Sequence, residues 1–72
     1  MKFTILHDSN GRMRIHAAKR HMTLEEADIL EYYLRSIPGV GKVSVYDRTC
    51  DAVIYYTCNR ANLIDRIAKF RF

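Results

Sequence analysis

Between residues 12 and 17 polar and apolar side chains alternate with a period of two, Arg12, Arg14 and His16 against Met13, Ile15 and Ala17. A pleated strand sends successive side chains to opposite faces, so this run predicts a half-buried strand with the cations and the imidazole outward. Upstream, residues 2–7 are rich in strand formers and stop at Asp8-Ser9-Asn10-Gly11, all turn residues. Gly11 serves either a hairpin between the two runs or a bulge within one long strand.

The period then lengthens. Ala27, Leu30, Leu34 and Ile37 recur at helical spacing, and Thr23 with Glu26 three residues on makes a capping box. Glu25, Glu26 and Asp28 add negative charge at the positive end of the helix dipole, and Pro38-Gly39 ends the run. A helix over residues 24 to about 36 is predicted. Lys42-Val43-Ser44-Val45-Tyr46 alternates again, residues 47–51 read as a hairpin loop, and residues 52–57 return as a strand. Asn59 caps a second helix with Leu63, Ile64, Ile67 and Phe70 as its buried stripe. Phe70-Arg71-Phe72 stands where a further strand would begin.

This order predicts an α+β, ferredoxin-like two-layer sandwich, an antiparallel sheet with two helices on one face. Such a sheet needs four strands. If none follows the second helix, residues 3–6 are expected to fill the edge beside residues 12–17.

At 72 residues the chain has room for one domain, 1–72, and little for an active-site cleft besides a core. The 49% hydrophobic and 28% charged content is that of a folded domain. No apolar run approaches the roughly 18 residues of a membrane span, and charge arrives too early for a secretory leader. Cys50 and Cys58 are then expected as free thiols in a reducing, cytoplasmic setting. Roughly 25 Å of extended chain at ~3.3 Å per residue separates them, too far to share an ion or a disulfide. Twelve Lys+Arg against eight Asp+Glu give a net charge of +4, a mild bias toward acidic partners or anionic surfaces.

Gly11-Arg12-Met13-Arg14-Ile15, Leu34-Arg35-Ser36-Ile37-Pro38-Gly39-Val40 and Val43-Ser44-Val45 together resemble the heavy-metal-associated domains of heavy-metal-translocating P-type ATPases. The resemblance runs over residues 10–70 and is to the variant branch without paired cysteines. It implies the N-terminal cytosolic segment of a larger transporter at the inner face of the cell membrane. Metal-carrying members bind a soft ion such as Cu, Zn or Cd through a Cys-x-x-Cys loop that opens the first helix. Here the comparable stretch is His21-Met22-Thr23-Leu24-Glu25-Glu26-Ala27, with Leu24 and Ala27 where the thiolates would stand. The metal-chelating role is therefore not carried over.

A substitute ion site of His16, His21 and Met22 is the candidate metal centre, helped by Cys58; Met22 and Ala27 alternatively form a hydrophobic staple around the cap. Arg12, Arg14, His16, Lys42 and Tyr46, with Tyr55 or Tyr56, should share the outer face of the sheet. Arg12, Arg14, Lys42 and Tyr46 are the candidate docking surface. It would meet other cytosolic domains of the same transporter or the anionic leaflet, and sheet edges offer a route to a homodimer. Arginine with tyrosine on an open sheet also suits RNA, but the aromatic RNP strand is absent. No nucleophile–base set, phosphate-cradling glycine loop or phosphorylation sequence occurs, so the domain is not expected to be an enzyme by itself. Three roles remain: a regulatory or docking domain, a genuine metal-binding domain, and a stand-alone basic module for RNA or an acidic protein.

Overall fold

A computed structural model describes residues 1–72. The elements are β1 (Phe3–Ser9), β2 (Arg12–Ala17), α1 (Leu24–Arg35), β3 (Val40–Tyr46), β4 (Asp51–Tyr56) and α2 (Arg60–Ala68). The strands form one antiparallel sheet in the order β1-β2-β4-β3, with α1 crossing from β2 to β3. This is the expected ferredoxin-like sandwich, with one rearrangement. The edge beside β2, usually supplied by a strand after the second helix, is supplied by β1 from the N-terminal end.

Asn10-Gly11 closes a hairpin. Ser9 pairs with Arg12, and both loop residues have positive φ, 45° and 83°, the conformation of a type I′ turn. Gly11 has a second reason to be glycine: a Cβ there would stand 2.7 Å from the Tyr56 carbonyl oxygen. Gly11 O also accepts from the Tyr56 amide, tying the turn to β4.

β1 pairs Ile5 with Ile15 and His7 with Arg14, so Leu6 is an extra residue in a bulge. The bulge shifts parity by one. Phe3 and Ile5 face the helices, and beyond it Asp8, not His7, turns inward opposite Met13. Asp8 accepts from Tyr56 Oη at 2.8 Å and from Arg60 Nε, joining β1, β4 and the start of α2. As a sequence, Asp8 reads as a turn residue; its role depends on the bulge.

The helices follow their patterns, with the exception of Ile64, expected in the buried stripe of the second helix and only half-buried. Thr23 Oγ1 accepts from the Glu26 amide and the Glu26 carboxylate accepts from the Thr23 amide, both at 3.0 Å. Asn59 Oδ1 accepts from the Asn62 amide at the start of α2. Ala27, Leu30, Leu34 and Ile37 from the first helical segment, and Leu63, Ile67 and Phe70 from the second, are buried. They close over Met13, Ile15, Ala17, Val43, Ala52 and Ile54 from the sheet's inner face as one core. Gly39 has φ 88° and lies so close to Cys58 that a Cβ would come within 2.5 Å of Cys58 Cβ. No helix is long and apolar enough to cross a membrane.

Strand ends differ from expectation in all strands but β2: β1 runs on through Asp8 and Ser9, both read as turn residues, and β3 begins at Val40 instead of Lys42. β4 begins at Asp51, where a loop residue is predicted, because Asp51 pairs in register with both His16 and Tyr46. Thr57 falls just outside β4, although its amide still donates to Gly39 O.

Candidate docking face of the sheet

The face of the sheet turned away from the helices carries no covering element. Its side chains fall in rows set by strand register: Thr4, His16, Asp51 and Tyr46; then His7, Arg14, Val53 and Ser44; then Ser9, Arg12 and Tyr55. β3 pairs Val40 with Tyr56 and Val43 with Ile54, so Gly41 and Lys42 form a second bulge opposite Tyr55. Arg12, Arg14, Lys42 and Tyr46 share this face, as the alternation predicts. Of the two tyrosines left open by the sequence, Tyr55 joins them and Tyr56 points inward.

Asp51 is the residue that sequence reasoning missed. Arg14 Nε and Nη2 donate to Asp51 Oδ2 at 3.2 and 2.9 Å, and His16 Nδ1 lies 2.8 Å from Oδ1. An ionised carboxylate only accepts, so His16 Nδ1 carries the proton in this arrangement. Burial pushes the Asp51 carboxyl up, but the bonds and charges of His16 and Arg14 outweigh it and hold the group below the usual carboxylate range. The Arg14 guanidinium also sits 5.6 Å from the Tyr46 ring centroid. A signal was available: carrying the β4 alternation back one residue puts Asp51 on the face of Val53 and Tyr55. Aspartate's preference for turns concealed it.

At the other end, Arg12 Nε donates to Tyr55 Oη at 3.2 Å, with its guanidinium carbon 5.9 Å from the ring centroid. Neither Arg12 nor Lys42 has a carboxylate partner. The outer face is therefore polarised: Asp51 compensates Arg14, while Arg12 and Lys42 stand uncompensated around Tyr55.

The candidate ion ligands are not brought together. His16 is on the outer face against Asp51, His21 is exposed before α1, and Met22 is 5% exposed within the core on the opposite side of the sheet. Met22 and Ala27, the positions of the staple, lie in that same core, so the thioether serves packing. At the positions where the resemblance would place thiolates, Leu24 projects into solvent and Ala27 is buried. Cys50 and Cys58 are free; Cys50 is buried in the β3–β4 turn, where its Sγ lies 3.8 Å from Asp47 O, and Cys58 is half-buried beside Gly39. No three His, Cys, Asp or Glu side chains are grouped to hold an ion. The donor set does not fit a metal, and the reason is the orientation of these side chains.

Each sheet edge carries a bulge, at Leu6 and at Gly41–Lys42. Bulges and an edge lysine are features that discourage edge-to-edge pairing. The open face, then, is where the molecule presents an organised array of side chains. No family model, curated protein or solved structure matches the chain.

Proposed function

We propose that this chain is the heavy-metal-associated-like, cytosolic N-terminal domain of a heavy-metal cation-transporting P-type ATPase, and that it acts as a docking or regulatory module. The resemblance in the Gly11–Ile15 and Leu34–Val40 motifs supports the family, and the ferredoxin-like sheet order is compatible with it. The observation that carries the docking role is the uncovered sheet face, on which Arg12, Arg14, Lys42, Tyr46 and Tyr55 are arrayed and in part held in place. Side chains already fixed lose less entropy on binding, which favours recognition of a partner over a merely solvated surface. Its role would be to bias the transporter's cycle by contact with an acidic cytosolic domain of the same protein. Catalysis and translocation would belong to other parts of that protein.

Two measurements test this. Reading the gene beyond the Phe72 codon should reveal hydrophobic spans and a phosphorylation sequence; a stop codon there overturns the transporter assignment. In the full-length transporter, Arg12→Glu with Arg14→Glu should change metal-stimulated ATP hydrolysis several-fold while leaving metal affinity unaltered. Unchanged hydrolysis with a folded domain overturns the docking role.

A further inference from the structure

Resting on the docking reading above, the geometry points to one end of the sheet face, the Arg12–Tyr55–Lys42 row, as the recognition site for an extended acidic peptide segment. Arg14 is the cation most firmly held on this face, yet Asp51 neutralises it through two hydrogen bonds. Arg12 lies directly across from Tyr55 on β2, and Lys42 lies in the bulge opposite Tyr55 on β3. Neither is ion-paired, and no acidic side chain shares their row. A carboxylate approaching the face meets its net attraction there.

Shape adds a second observation. From Tyr55 a groove of about 470 Å³ runs over the end of β4 between the Asn10-Gly11 and Pro38-Gly39 turns, with Gly41 and Thr57 in its lining. Gly11 and Gly39 are required by their backbone conformations and close contacts. Gly41 is not: its φ is ordinary, and a Cβ there would meet only Tyr55 O, at 3.8 Å. A side chain at 41 would fit the fold and occupy the groove. An extended peptide, whose backbone needs close approach and whose alternate side chains reach to either side, suits this floor, whose lining residues Gly11 and Gly41 are followed directly in the chain by Arg12 and Lys42.

The same arrangement argues against two other ligands. Base stacking needs open aromatic faces, and Tyr46 and Tyr55 each have an arginine over the ring. An anionic membrane is held by clusters of roughly four to eight cations, and this row has only Arg12 and Lys42.

The test is fluorescence anisotropy of a labelled (Glu-Ser)4 octapeptide against the 72-residue chain at low and at physiological salt, with folding of each variant checked by circular dichroism. Arg12→Glu and Lys42→Glu should each weaken binding at least tenfold. Arg48→Glu, the same charge change on the β3–β4 turn, should weaken it less than threefold. Gly41→Val should weaken it about tenfold with no change of charge. Equal losses for Arg12, Lys42 and Arg48 would mean attraction to net charge and overturn the site. Loss with Arg14→Glu alone would overturn this row but leave the docking face standing; no loss with any sheet-face variant would overturn both. Tighter binding of oligouridine RNA, or of phosphatidylserine vesicles, than of the peptide would overturn the ligand class.

Discussion

Asp51 organises the outer face through a single carboxylate with 10% of its side chain exposed. Removing it would leave Arg14 and His16, both more than a third exposed, to water in place of their shared acceptor, at a cost on the order of 1 kcal/mol. Asp51→Ala is therefore expected to lower the urea midpoint, and His16→Ala to lower it less, since Arg14 would still hold the carboxylate. Asp51 also makes stability depend on pH. Its folded pKa lies below its unfolded value, so its stabilising contribution is complete above the unfolded value, about 4, and is lost as pH falls through the folded one. Asp8 is held low by the hydrogen bonds from Arg60 and then Tyr56, and Glu26 by those from Lys19 and then the Thr23 backbone, with the same sign. Unfolding followed from pH 6 to pH 2, roughly the window spanning ordinary carboxylate titration, should show stability falling below about pH 4. Asp51→Asn should be less stable at pH 6 and show a shallower fall; an unaltered slope would contradict the assignment.

At the level of elements, α1 is specified locally. Its capping box, acidic first turn and apolar stripe all lie within a few residues of one another, and each is visible in the sequence. Thr23→Ala should cost about 1 kcal/mol, measured by denaturant unfolding, because it leaves the Glu26 amide unsatisfied. The same turn bears on the proposed assignment. With Leu24 exposed, Ala27 buried and a capping carboxylate at Glu26, it is built to start a helix and not to converge donors on an ion. Strands were less legible. The β2 alternation places every residue on its correct face, whereas β1 and β3 each carry a bulge that no period reveals. A bulge depends on how the facing strand's amides and carbonyls are matched, which the period of the bulged strand's own side chains does not encode.

For the molecule as a whole, β1 decides whether the sheet is complete. It shields one edge of β2, packs Phe3 and Ile5 against the core, and brings Asp8 to Tyr56 and Arg60. The Met1 ammonium donates to the carbonyls of Ala68 and Phe70, so the start of the chain is fastened to the end of α2. Deleting residues 1–9 should expose the β2 edge and produce aggregates in size-exclusion chromatography, with loss of cooperative unfolding. A cooperative, monomeric truncated chain would show that β1 is dispensable.

Element order, the two helix starts, the inward and outward residues of β2 and most of the core are legible in the residues alone. Those depend on periodicity and on hydrogen bonds between near neighbours. The choice of a hairpin at Asn10-Gly11, the inward turn of Asp8, the placing of Met22 in the core and the neutralisation of Arg14 by Asp51 were decided only by the tertiary structure. Apart from the hairpin, whose turn sequence also suits a bulge, each joins residues that chain separation keeps apart, as Arg14 and Asp51 are, 37 positions from one another. Periodicity assigns a side chain to a face; only the register of β2 against β4 determines which charge lies opposite it.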